Sequence, residues 1–321
     1  NRQNVTRKLL IGYQYLPRKL QSNSFMKPFF LFILTAIVAA CGAKEQAEPL
    51  ATFFEAGVAT GIAAPELEEA SGLVASAANP GLLWTHNDSG NPADLFLIDS
   101  TGAIKLTCHL LGVKNRDWED ITRGPGPDST RTYLYVGEIG DNEAKYSTKI
   151  IYRLPEPVWY GERETDLMEV DAFHLLLPDG RRDTETLFHD PLRNEMFIVS
   201  KREDSVRLYQ IPFPLSADTV MAERKLVLPI YKMVAADVSP DGLEILAKDY
   251  EHVYYWPRAP HESVLEAMQK EAYCLPYTRE NQGESIAFSI YGNGYYTLGE
   301  SALNDRAKVI FYKRGMPKGA R

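Results

Sequence analysis

One unit recurs five times along this chain, and that repeat leaves few folds open to it. The unit is an acidic residue opening a short strand, a turn rich in Pro, Gly, Asn or Asp, an apolar strand, and then polar residues. It reads "EASGLVAS" with "LLWTHND", "EDITRG" with "TYLYVGEIGDN", "ETLFH" with "EMFIVSKRE", "DVS" with "LEILAKDY", and "ESIAFS" with "GYYTLGES". The opening acids are Glu69, Glu119, Glu185, Asp237 and Glu284, spaced 50, 66, 52 and 47 residues apart. An insertion around 156–168, "EPVWYGERETDLM", accounts for the long interval.

Short runs alternating apolar and polar fill the rest of each unit, the signal for strands rather than helices. Third strands fall at 94–100, 149–154, 205–211, 252–257 and 307–313. Fourth strands fall at 103–110, 168–176, 224–230 and 271–277, and unit five runs out of chain at Lys313. A period near 50 with four strands per unit is the signature of a β-propeller. The predicted fold is therefore all-β, a single β-propeller over 51–315 with five blades of four antiparallel strands. Six blades remain open if units are merged across the insertion. An N-terminal strand at 51–58 closes the ring, which leaves no long edge exposed between first and last blade. The one helical pattern is "HESVLEAMQKE", 261–271.

The first 40 residues read differently. They carry six basic residues and no acid, and "FFLFILTAIVAA" (29–40) is continuously apolar. That run is too short to span a membrane comfortably and suits a secretory signal. Residues 1–25 read as an over-extended, disordered start. Residues 26–41 read as a lipoprotein signal peptide, because "VAAC" resembles a bacterial lipobox and makes Cys41 the lipidated residue. Residues 42–50 read as a tether and 316–321 as a disordered tail. The expected location is the bacterial cell envelope, with membrane contact through the lipid anchor alone. The part beyond residue 40 carries a net charge of −14, which disfavours nucleic acid and favours cations. A monomer is expected, with Cys108 and Cys274 both buried and free.

In a propeller blade the start of the first strand and the end of the second lie at one face. That rule gathers the five opening acids with His86, Asn87 and Asp88, with Glu138, Asp141 and Asn142, and with Lys201, Arg202, Lys248, Tyr250, Glu300 and Ser301. Carboxylates converging on a channel must raise one another's pKa or recruit a cation. An oxygen-rich set without a Cys/His cluster favours a hard cation, Ca²⁺ above all. The expected ligands are Glu69, Asn87, Asp88, Glu119, Asp141, Asn142, Glu185, Asp237 and Glu284. Lys201, Lys248 and Tyr250 are expected to bind an anionic substrate, and His86 or Glu138 to handle the proton. The bland alternative is that each Lys pairs with a channel acid, that His86 is a corner residue and that Trp118 of "DWED" is core. No nucleophile elbow, HExxH, P-loop or GxGxxG is present.

"EASGLVAS", "NPGLLWTHNDSG", "DWEDI", "YVGEIGDN", "IYRLPEP", "DTETL" and "GESIAFS" together resemble a group of poorly characterised secreted bacterial β-propellers. The Glu-x-Ser-Gly opening also looks like the SdiA-regulated and phytase-like propellers. More distantly, acids at inner-strand starts resemble the calcium-activated nucleotidases. That resemblance implies a channel metal and phosphoester hydrolysis, although the wider calcium-binding motifs of phytases are missing. The second function expected of such a chain is non-catalytic binding of a glycan, peptide or protein partner on the same face.

Overall fold

The structure, a computed structural model, describes residues 53–303 and 305–315. The expectations for 1–25, for the signal peptide and Cys41, for the tether and for the tail fall outside these residues.

Strand β1 (Val58–Ile62) comes first. Blade one follows as β2 (Ala70–Ala75), β3 (Leu83–Asn87), β4 (Asp94–Ile98) and β5 (Ile104–Leu110). Blade two is β6 (Trp118–Pro125), β7 (Thr132–Glu138), β8 (Lys149–Pro155) and, after β9 (Glu164–Leu167), β10 (Asp171–Leu176). Blade three is β11 (Thr184–Asp190), β12 (Glu195–Ser200), β13 (Val206–Ile211) and, after β14 (Thr219–Met221), β15 (Glu223–Leu228). Blade four is β16 (Ala235–Val238), β17 (Glu244–Lys248), β18 (Val253–Pro257) and, after helix α1 (Val264–Met268), β19 (Tyr273–Leu275). Blade five is β20 (Ser285–Phe288), β21 (Gly294–Leu298) and β22 (Lys308–Lys313), completed by β1 on its outer edge.

The inner strands touch in a closed cycle, β2 to β6 to β11 to β16 to β20 and back to β2. The chain is therefore a five-bladed β-propeller. The closing strand pairs Val58 with Phe311 and Ile62 with Lys308. It thus begins where the sequence-predicted strand was expected to end, and Phe54 makes only an isolated bridge to Arg314.

Period-2 alternation explains how each blade serves two interfaces. In β12, Met196 and Ile198 face blade two, whereas Phe197 and Val199 face blade four. The buried apolar residues accordingly form five clusters, one between each pair of adjacent blades. Trp118 lies between blades one and two, as its place in "DWED" suggested. Helix α1 is closed at its start by a Ser263–Glu266 capping box and buries Val264, Ala267 and Met268 against blades three and four.

The insertion does not thicken its own blade. Its strand β9 crosses to blade one and pairs in parallel with β5, Thr107 opposite Glu164. It covers the edge that β5 would otherwise expose. Strand β14 does the same for β10, also in parallel.

Both cysteines are free, but only Cys108 is buried, and Cys274 lies exposed on the outer strand β19. β19 is the outer edge strand of its blade and both Tyr273 and Cys274 are exposed on it, which corrects the expectation of two buried thiols. Burial also pushes the Cys108 thiol up to about 12. An alkylating reagent should therefore modify Cys274 in the folded protein and leave Cys108 intact until denaturation. Peptide mass spectrometry reads this directly, and equal labelling of the two would contradict it.

Candidate functional site

Strand direction brings the acids to one mouth of the channel, and backbone irregularity aims two of them into it. In β6 the register slips between Trp118 and Asp120, so Glu119 is a bulge residue. In β11 it slips between Thr184 and Thr186, so Glu185 is the equivalent bulge. A bulge re-aims its side chain relative to the ladder, and here both carboxylates turn into the channel mouth. The same slip in β2 falls between Ser71 and Leu73, so the structural partner of Glu119 in blade one is Gly72, not Glu69. Gly72 has φ +68°, and a Cβ there would stand 2.8 Å from His86 Nε2 and 2.9 Å from Asp120 Cα. Blade one gives up its acid at this position so that its inner strand can approach blade two closely.

Three buried carboxylates, Glu119, Glu185 and Glu284, each offer an oxygen within 4.8 Å of the others. Lys201 sits among them, Nζ 2.8 Å from Glu185 and 3.3 Å from Glu284. The Tyr250 hydroxyl donates to Glu284, and the Lys201 ammonium lies 5.4 Å over the Tyr250 ring. Burial, then the neighbouring charge of Glu185, pushes Glu119 well above the carboxylate range. Burial likewise lifts Glu185 to about 7, although Lys201 pulls the other way. Burial works against the Lys201 ammonium, but Glu185 and Glu284 outweigh it and raise its pKa. This inner tier is thus partly compensated, by one ammonium and by a proton held on the Glu119–Glu185 pair.

The outer tier is compensated only at Glu284, through Lys201. Asp88, Glu284 and Glu300 form a second set within 4.8 Å, and Asp88, Asp117 and Glu119 a third. Among the described residues, Asp88, Asp117 and Glu300 have no ion-pair partner. Burial, reinforced by Glu284, raises Asp88 to about 6 and Glu300 to about 7. Asp117 is raised too, by burial and then by Asp183. Six carboxylates therefore share this mouth, and among the described residues only Lys201 is ion-paired to any of them. The donors are oxygen throughout, with no His or Cys in any of the three sets, which fits a hard cation of the Ca²⁺ kind. A pocket of about 270 Å³ opens over the inner tier, rimmed by Asn142, Arg202, Lys232 and Gln282.

Other residues expected at this site lie elsewhere or are already engaged. Glu69 is exposed and accepts from Asn91 Nδ2 at 2.7 Å. Asn87 accepts from the Glu69 N–H at 3.3 Å and donates to the Glu66 carbonyl at 2.7 Å. Asp141 accepts from the Lys145 and Tyr146 N–H groups at 2.6 and 2.9 Å and pairs with Lys149 at 3.3 Å. Asp237 pairs opposite Leu246, two rungs deeper than Ala235 and Lys248. It accepts the Val238 and Phe288 N–H groups, much as Asp120 accepts those of Ile121 and Leu187. It stitches neighbouring inner strands together and faces a different pocket.

Glu138 accepts the Arg116 and Asp117 N–H groups at 3.0 and 2.9 Å and pairs with the Arg116 guanidinium. It shapes the loop that carries Asp117. Lys248 is fully buried, donating to the Tyr277 hydroxyl at 3.0 Å and to the Gly283 carbonyl, and burial lowers its pKa. His86 is fully buried against the edge of Trp118, with Nδ1 3.1 Å from the Asn87 carbonyl. Burial lowers it to about 4, so it is neutral at pH 7 and closed to solvent.

Asp117 and Glu300 were the acids that the opening-acid count passed over. Glu300 follows β21 as Asp88 follows β3, so the strand-end rule already pointed to it.

No protein-family model matches the chain, and no curated protein matches it in sequence. Many solved structures match the chain, two of them as follows. The PQQ-bound aldose sugar dehydrogenase of Streptomyces coelicolor is 12% identical with a TM-score of 0.47, over 81% of this chain and 98% of that one. XC5397 of Xanthomonas campestris, a gluconolactonase, is 8% identical with a TM-score of 0.49, over 83% of this chain and 92% of that one. This chain's own strand pairing and closed ring of inner strands define its fold.

Proposed function

We propose that the propeller binds a divalent hard cation, Ca²⁺, at this mouth, and that it acts there on a phosphate-bearing or other anionic small molecule. The supporting observation is the outer tier: Asp88, Glu284 and Glu300 converge with no positive side chain on Asp88 or Glu300. Half-buried like charges without a counter-ion are costly, and a bound cation removes that cost. Asp88, Glu284 and Glu300 hold the cation, with Asp117 beside them. When bound, it supplies Lewis-acid polarisation of a ligand oxygen. Lys201 keeps the inner tier from collapsing on the cation position, Arg202 and Lys232 attract the anion, and Glu119 holds a proton at the pocket floor. The signal peptide and lipid anchor expected from residues 26–41 would place this site outside the cytoplasm, tethered to the envelope.

Metal analysis of the purified protein and thermal unfolding with calcium and with chelator test the reading. Calcium at 100 times its dissociation constant should stabilise by about 2.7 kcal/mol, which is roughly 5–10 °C for a domain of this size. Glu284→Gln combined with Glu300→Gln should abolish the shift. An unchanged melting temperature and no bound metal would sink the proposal.

A further inference from the structure

Nine of the eleven described lysines lie within ion-pair distance of a carboxylate, and Lys114 and Lys232 do not. Lys114 is exposed to solvent in the connection between β5 and β6. Lys232 is different, because it stands at the rim of the most acidic part of the molecule and still takes no acid partner. Its ammonium lies 5.1 Å over the ring of Tyr231, which is itself 54% exposed.

Two cavities meet at this residue. The pocket over the acids, about 270 Å³, and a side cleft of about 710 Å³ share Lys232, Tyr250 and Gln282 in their walls. Together they have the size of a small-molecule site. The cleft adds Tyr231, His252 and Arg279, the last loosely paired to Glu251 at 3.3 Å on the surface. Backbone conformation marks the same junction. Lys232 has φ +55° and Gln282 φ +39°, two of the four non-glycine residues in the left-handed region. Such conformations cost energy for a residue with a Cβ and tend to gather where a loop presents side chains for function.

We propose that Lys232 binds the anionic group of a phosphate-bearing ligand at the junction of the two cavities, with the ring body of that ligand lying along Tyr231 in the side cleft. This places the anion between Lys232 and the carboxylate-held cation, and so rests in part on the cation reading above. The ammonium supplies a charge-assisted hydrogen bond, and the aromatic wall supplies apolar contact for a ring.

The test titrates the full-length protein with calcium and, separately, with phenylphosphonate, a phosphate mimic that is not hydrolysed. Lys232→Met should weaken phenylphosphonate roughly tenfold or more, while Lys114→Met leaves it unchanged. The calcium isotherm should be the same in all three proteins. Tyr231→Ala should erase any preference for phenylphosphonate over methylphosphonate. Absence of phenylphosphonate binding, or equal binding by wild type and Lys232→Met, overturns the proposal. A Lys232-dependent phosphonate isotherm without calcium binding overturns the cation reading instead and leaves the anion subsite standing.

Discussion

Arg258→Ala is expected to destabilise the propeller by about 3–5 kcal/mol, roughly 10 °C in melting temperature for a domain of this size. Arg258 at the end of β18 and Asp190 at the end of β11 form an ion pair with no exposure on either side chain. Arg258 Nη1 donates to an Asp190 oxygen at 2.9 Å and to the Glu262 carbonyl at 3.4 Å, Nη2 donates to the other Asp190 oxygen and Nε to the Gly242 carbonyl. Removing the arginine leaves Asp190 charged, buried and without its counter-ion, which is the costly case. Replacing both partners, Arg258→Met with Asp190→Leu, should recover most of the loss, because the pair's attraction is largely cancelled by its desolvation. A denaturant melt of the single and double variants decides this. If the double variant is as unstable as the single, the pair contributes more than charge compensation. A similar latch joins blades four and five, where Arg314 pairs with Glu244.

Calcium affinity should climb steeply with pH between about 5 and 8. Asp88 is raised to about 6 and Glu300 to about 7, and both must lose their protons to serve as ligands. Below both values, each proton that must be displaced lowers the affinity tenfold per pH unit, so the fall from pH 8 to pH 5 is on the order of a thousandfold. The metal-free protein should behave in the opposite sense. Because these pKa values lie above those of the unfolded chain, the carboxylates' contribution to stability is complete below about pH 4. It is lost as pH rises through 6 to 7, when the acids ionise against one another. The melting temperature of the chelated protein should therefore decline across that window, and the calcium-loaded protein should not. Calcium isotherms and melts at pH 5, 6, 7 and 8 provide the check. An affinity independent of pH would mean that Asp88 and Glu300 are not the ligands.

Much of this was legible in the chain. Five opening acids at a near-regular interval predicted five blades, and the strand-direction rule brought Asp88, Glu119, Glu185, Glu284, Lys201 and Tyr250 to one mouth, where they are found. The rule failed where side-chain direction depends on more than strand polarity. Asn87 and Asp141 sit beside the right position but spend their polar atoms on nearby groups. Lys248 follows the same strand rule as Lys201, yet it turns to Tyr277 and Gly283 in the connection between β19 and β20.

Local pattern determined the fold, because period-2 alternation, turn residues and a 50-residue repeat are short-range properties that each unit expresses by itself. Only the tertiary structure decided which acids make the site. A one-residue bulge moves a side chain between the ladder and the channel, so Glu119 and Glu185 point inward while blade one places Gly72 at the corresponding slip. Such slips are set by how closely neighbouring inner strands pack, as at Gly72 against Asp120. That packing exists only once the ring has closed.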